Sequence, residues 1–259
     1  MSKSMLDKMY FLDKIDPDIL VDFGCADGEL ISHILPYEKN SLIIGYDSNE
    51  KMIELAKARI KNSNIILTSK ESFLDPTILK MFYRINDNTE QKTCLILSSV
   101  IHEIYSYLSP EEIEHFWEMF NQDWDYICIR DMFFSKESSY LKPFESDILK
   151  VRMKSEELKE KIKIDLLGSF EKIWGSIEDS KNFTHYLLKY RYDDNWEREV
   201  HENYFALYLD DLLKIIKGRL EYKMIYFKKY TLPYTKNMIK QDFGINLTDN
   251  THVQFILSK

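Results

Sequence analysis

Between residues 19 and 131 the sequence alternates short apolar runs with helical segments, and that alternation restricts the fold more than any other feature. The runs are ILVDF (19–23), SLIIGYD (41–47), NIILT (64–68), KTCLILSS (92–99) and YICIRD (126–131). Each is too short for a buried helix and has the composition of a buried strand. Helical stretches lie between them. ELISHIL stops near Pro36, and SNEKMIELAKARIK can be capped by Ser48 or Asn49, with Met52, Ile53, Leu55 and Ala56 on one face. SPEEIEHFWEMF (109–120) opens on serine, proline and two glutamates, a strong helix start. Five strands in this order predict a parallel sheet covered on both faces, with right-handed crossovers and ligands beyond the carboxyl ends of the strands.

The pattern breaks at 135–208, where long helical stretches rich in aromatics intervene, and resumes with a helix at 209–217. Two more strands, 222–232 and 251–259, are expected to pair antiparallel at one sheet edge, joined by an excursion that includes PYTKNMIKQDFGI. The chain therefore divides into an α/β domain (1–134 and 209–259) and a helical insertion (135–208). An insertion after the fifth strand lies over the ligand edge, as a lid or substrate cap or as a bulking subdomain.

Charge and cysteine usage narrow the function classes. A formal net charge of -8 argues against a broad cationic surface for duplex DNA. The segment MSKSMLDKMYFLDKID has no apolar run of signal-peptide length, and no later stretch approaches a membrane span. Cys25, Cys94 and Cys128 are widely spaced and odd in number, as expected of reduced, buried thiols in a cytoplasmic protein.

The first strand runs into VDFGCADGEL (21–30), a glycine turn that carries Asp22, Asp27 and Glu29. A dinucleotide fingerprint fails here, because Ala26 and Glu29 occupy its second and third glycine positions; no G-K-S or G-K-T follows, which excludes a Walker A loop. Acids at a helix start repel phosphate. They suit a ligand that is positively charged at its reactive end. Asp47, at the end of the second strand and about 20 residues past the turn, is placed to hold ribose hydroxyls.

VDFGCADGEL followed by LIIGYDSNEKMIELAKAR resembles the first two motifs of the class I S-adenosylmethionine-dependent methyltransferases. The similarity spans roughly residues 18–131, and the last two strands fit that family's sheet. It implies a Rossmann-like, doubly wound, seven-stranded, mostly parallel sheet with an antiparallel last strand, here with a helical insertion. It also implies S-adenosylmethionine as cofactor, with Asp22, Gly24, Ala26 and Gly28 around its methionine part and Asp47 on its ribose. Cys25, Ser48, Ser72, Ser98 and Ser99 complete the candidate cofactor contacts. Many members carry an acid just after the third strand for the adenine amine; LTSKESF offers only Ser69, Glu71 or Ser72.

The fourth strand leads into SSVIHEIYSY (98–107), expected beside the reactive methyl group. It lacks the N/D-P-P-Y/F tetrapeptide of enzymes that methylate nitrogen on DNA bases, and no Pro-Cys nucleophile is present. His102 is the candidate general base for a hydroxyl acceptor, with Glu103 orienting it; a packing role for His102 is equally open. A metal site from His102, Glu103 and a histidine of the insertion is an alternative that no tight ligand spacing supports, so no metal is expected. Candidate acceptor contacts are Tyr105, Asp131 at the end of the fifth strand, and His185 and Arg191 in the insertion. The commoner role for an acid placed like Asp131 is a salt bridge or cap, and for the insertion's aromatics buried packing. Three functions follow: methylation of a small or medium-sized molecule under a cap, methylation of RNA along two basic-aromatic stretches (185–205 and 226–240), or a silent cofactor-binding subunit.

Overall fold

The computed structural model describes residues 5–37, 41–62, 64–83, 91–119, 122–219 and 222–259. Strands β1 (Ile19–Phe23), β2 (Leu42–Tyr46), β3 (Ile65–Thr68), β4 (Thr93–Ser98), β5 (Tyr126–Met132), β6 (Lys223–Tyr230) and β7 (His252–Ser258) form one sheet. Their order is β3-β2-β1-β4-β5-β7-β6. The β1–β2, β1–β4, β2–β3 and β4–β5 pairs are parallel, and β7 runs antiparallel to both β5 and β6. The strand order reverses between β1 and β4, which opens a crevice beyond their carboxyl ends.

Side chains of β1 alternate between two cores. Ile19, Val21 and Phe23 join one apolar cluster with Leu95, Leu97 and Ile129, while Leu20 joins the other with Cys94, Ile96 and Cys128. The same period of two places Asp22 and Ser98 on the second face, at the open end of the sheet. Helix α1 (Met5–Lys8) and the turns after it cover that face with Met5, Met9, Phe11 and Ile15. The sequence pattern shows no element there. Helices α2 (Glu29–Ile34) and α3 (Glu50–Arg59) start where expected, and the Asn49 side chain caps α3 by accepting from the Lys51 amide at 3.0 Å. After α4 (Pro76–Phe82) and α5 (Ile101–Tyr107) comes α6 (Pro110–Glu118). A reciprocal capping box between Ser109 and Glu112 fixes the start of α6. Phe120, the last residue of the expected helix, lies outside the described residues.

The insertion folds as α7 (Lys136–Ser139), α8 (Glu145–Ile162), α9 (Leu166–Trp174), α10 (Ser180–Lys189) and α11 (Trp196–Glu199). Its own core holds Val151, Phe170, Tyr186 and Trp196. That core also takes Ile239, Phe243, Ile245 and Leu247, from α13 (Pro233–Phe243) and the loop after it. Arg191 and Tyr190 both bond the Asp242 carboxylate, which fastens α10 to α13. The helical layer is thus built from two separated segments rather than from 135–208 alone. Helix α12 (Leu209–Arg219) returns the chain to the sheet, and Leu212 and Ile216 pack in its core. Cys25, Cys94 and Cys128 are free and buried.

Candidate active site

The β1–α2 turn depends on left-handed backbone. Gly24 has φ +74 and Gly28 φ +77, values that L side chains rarely adopt. A Cβ on Gly24 would lie 2.9 Å from Val100 Cγ2, and one on Gly28 would lie 2.7 Å from Ile60 Cδ1. Gly24→Ala is therefore expected to cost about 2–3 kcal/mol, combining the left-handed penalty with a clash. A urea midpoint unchanged from the parent chain would contradict this. The contact with Val100 also brings the start of α5 directly against the turn.

The acids around the turn divide into different tasks. Asp27 is salt-bridged to Arg59 of α3, so its charge is spent within the fold. Asp47 accepts from the Ala26 amide through Oδ2 at 2.9 Å and from the Asn49 amide through Oδ1 at 2.9 Å, tying β2 to the turn. Asp22 is 3% exposed, and its Oδ2 has no hydrogen-bond partner among the described residues. Burial pushes its carboxyl up to about 7; Lys8 pulls it down and Asp47 pushes it further up. Of the acids around the turn, Asp27 is thus engaged by Arg59, whereas Asp22 carries a carboxylate oxygen with no partner among the described residues.

Ser98 Oγ is also buried without a partner among the described residues. Leu97 pairs with Phe23, so Ser98 and Gly24 leave the sheet side by side. Ser99 Oγ instead accepts from Arg130 Nη1 at 2.7 Å, and Arg130 is held in turn by Asp7 at 2.9 Å. The Cys25 side chain points into the core, 3.0 Å from where a Cβ on Gly45 would stand, so only its backbone belongs to the turn. Ser48 and Ser72 are exposed.

A second constellation lies at the start of α5. Asp131 is completely buried; its Oδ2 accepts from the Ile101 amide at 2.7 Å, and its Oδ1 accepts from the Met132 amide at 2.7 Å. The same Oδ1 lies 2.5 Å from His102 Nδ1, and His102 Nε2 lies 3.1 Å from Glu202 Oε1. Burial alone would lower the His102 pKa, but the Asp131 and Glu202 carboxylates outweigh it and lift the ring to about 10. Both ring nitrogens are occupied and the ring is protonated at neutral pH. To act as a general base, it would first have to lose its proton and Glu202.

Beside this pair, Glu103 lies 3.5 Å from Arg198; burial, then Glu202, raises its carboxyl above the ordinary range. Lys189 is fully buried and donates to the backbone carbonyls of Glu199 and Glu202. Burial lowers it to about 8.

The remaining expected acceptor contacts are turned elsewhere. Tyr105 Oη accepts from Trp117 Nε1 at 2.8 Å. His185 is 1% exposed among Phe170, Trp174, Tyr204 and Phe205, and burial drives its pKa well below the ordinary value. Arg191 lines a separate cleft of about 510 Å³ with Lys154, Lys161 and Asp242. The aromatics of 185–205 are largely buried packing, leaving little stacking surface there. Glu199 and Glu202 were absent from the candidate residues, because no local spacing links them to a histidine about 100 positions earlier.

No protein-family profile matches the sequence, and no curated protein matches it. Similarity to solved structures is extensive in space and slight in sequence. The methyltransferase domain of a bacterial protein named CtHen1 aligns over 100% of this chain and 98% of its own, with a TM-score of 0.50 at 11% identity. A protein assigned as an O-methyltransferase from Nostoc punctiforme aligns over 100% of this chain and 56% of its own, with a TM-score of 0.50 at 10% identity. A third, described as an S-adenosylmethionine-dependent methyltransferase from Anabaena variabilis, gives a TM-score of 0.49 at 11% identity over 98% of this chain and 82% of its own. Among the described residues, no helix is long and apolar enough to cross a membrane.

Proposed function

We propose that this chain, which has the class I S-adenosylmethionine-dependent methyltransferase fold, transfers the cofactor's methyl group to a polar small or medium-sized acceptor held between the sheet edge and the helical layer. The carrying observation is that two buried polar atoms, Asp22 Oδ2 and Ser98 Oγ, have no partner among the described residues and lie beside the exposed backbone of Gly24. Buried polar groups are rarely left unpaired, so a ligand with complementary groups is the economical account. Asp22 suits the cofactor's cationic amine, and the unused lone pairs of Asp47 suit ribose hydroxyls. When bound, S-adenosylmethionine supplies an electrophilic methyl group on a sulfonium. The chain's part is alignment and exclusion of water, which supply most of the catalysis of a direct displacement. His102, its ring held between Asp131 and Glu202, acts as a positioning group rather than as a resting base.

Calorimetry with S-adenosylmethionine tests the pocket. Asp47→Ala should weaken binding about 10–100-fold, the equivalent of losing about 1.5–3 kcal/mol of charge-assisted hydrogen bonding. Transfer of labelled methyl groups from the cofactor into size-fractionated cell extract, with and without ribonuclease, separates the acceptors. Label in the small-molecule fraction supports the proposal. Ribonuclease-sensitive label would replace it with an RNA acceptor, and tight cofactor binding without any transfer would favour a silent subunit. Absence of cofactor binding overturns the reading of the pocket.

A further inference from the structure

We propose that His102, Glu103 and Glu202 form a binding site for one divalent metal ion of the Mg²⁺ or Mn²⁺ type, at the start of α5. One ligand atom from each residue lies within 4.8 Å of the others. Six-coordinate ligands at about 2.1 Å stand about 3 Å apart when adjacent and about 4.2 Å apart when opposite, so small side-chain rotations bring this set around one ion.

The histidine is already oriented for the task. Asp131, buried behind it, takes Nδ1 at 2.5 Å and leaves Nε2 facing Glu202 at 3.1 Å. Metal-bound histidines have this arrangement, in which a carboxylate fixes the tautomer and makes the other nitrogen a better ligand. Glu202 comes from a different part of the chain, and its backbone is clamped: the Lys189 ammonium donates to its carbonyl, and His185 Nε2 lies 3.2 Å from the same oxygen. Two segments about 100 residues apart thus converge with their ligand atoms on one point.

An independent observation comes from Glu199. It is 7% exposed, its carbonyl is held by the same Lys189, and its Oε1 is buried with no partner among the described residues. A carboxylate oxygen in that position lacks a donor, and a metal-bound water beside Glu202 would supply one. Local charge agrees. Asp131, Glu103, Glu199 and Glu202 are four carboxylates against three basic side chains, His102, Lys189 and Arg198. A divalent ion would take the place of the His102 Nε2–Glu202 contact at 3.1 Å. Two carboxylates and one imidazole without a thiolate favour magnesium or manganese over softer metals.

The ion's use in methylation rests on the function proposed above: it would bind an acceptor oxygen and lower that group's pKa, so that no resting side-chain base is required. The site itself stands independently of that role. The full chain, stripped with a chelator, should bind one Mn²⁺ per molecule in a titration with the metal alone. Glu103→Gln and Glu202→Gln should each weaken binding at least tenfold. Pulsed electron paramagnetic resonance of the bound Mn²⁺ should show imidazole-nitrogen coupling that disappears in His102→Asn. No stoichiometric Mn²⁺ on a parent chain that still melts cooperatively and binds S-adenosylmethionine overturns the site. Binding without nitrogen coupling, or unaffected by both glutamine variants, does so as well. Mn²⁺ binding by a chain that ignores S-adenosylmethionine would leave the metal site standing and remove the reading of the cofactor pocket.

Discussion

Replacing Asp22 by Asn is expected to make the ligand-free chain more stable at pH 8 while nearly abolishing its affinity for S-adenosylmethionine. The carboxyl is buried with one oxygen unpartnered, and burial lifts it from 3.8 to about 7. Between those values the native state holds a proton that the unfolded chain releases, so stability falls as pH rises through that window and stays lower above it. An amide has no such charge to bury. At pH 8 the variant should gain about 2–4 kcal/mol, from roughly 1.4 kcal/mol for each unit of the shift. The ionised carboxylate is the form a cation selects, so the parent chain should bind the cofactor about tenfold more weakly at pH 6 than at pH 8. In the variant that slope should vanish along with most of the affinity. Urea unfolding and calorimetry at both pH values measure the two effects. A variant that loses stability at pH 8, or keeps the parent's pH slope, would show that Asp22 is already satisfied within the fold.

The same residue illustrates how far the sequence was readable. Gly24, Gly28 and Asp47 are legible because the turn is local: close spacing, a preceding strand and a following helix impose its geometry. The parallel sheet follows from the alternation, and the caps at Asn49 and Ser109 follow from helix-start chemistry within three residues. The ion pair of Asp27 was not legible, because its partner, Arg59, reaches it from the next helix, and helix rotation is not visible in a run of letters. Tyr105 was read as an acceptor contact, but its hydroxyl is taken by Trp117 of the following helix. The segment around Met5–Ile15 has no periodicity because it covers the sheet with turns and one short helix. Helix α13 was legible only as an excursion, since its apolar residues pack into a core whose other half lies about 40–95 positions earlier. Glu202 depends on that tertiary arrangement entirely. No local pattern pairs it with His102.

Asp131→Ala should be the most damaging single change at the start of α5. The carboxylate accepts from the Ile101 and Met132 amides and holds the His102 ring, all at complete burial. Truncation takes this acceptor from three amides, those of Ile101, His102 and Met132, and leaves the buried His102 ring with Glu202 alone; breaking one side of such an arrangement costs about 3–5 kcal/mol. For a chain of this size that corresponds to a melting temperature lower by about 10 °C. Asp131→Asn is the informative companion, because its amide oxygen can still accept from backbone N–H groups but carries no charge for the ring. It should recover about 1–2 kcal/mol of the alanine loss, the worth of the neutral hydrogen bonds. Equal losses in the two variants would assign the whole effect to the charge on His102. Losses below 1 kcal/mol in both would mean that the start of α5 is held by the burial of Val100 and Ile101 in the apolar cluster, and that the aspartate is incidental to the fold.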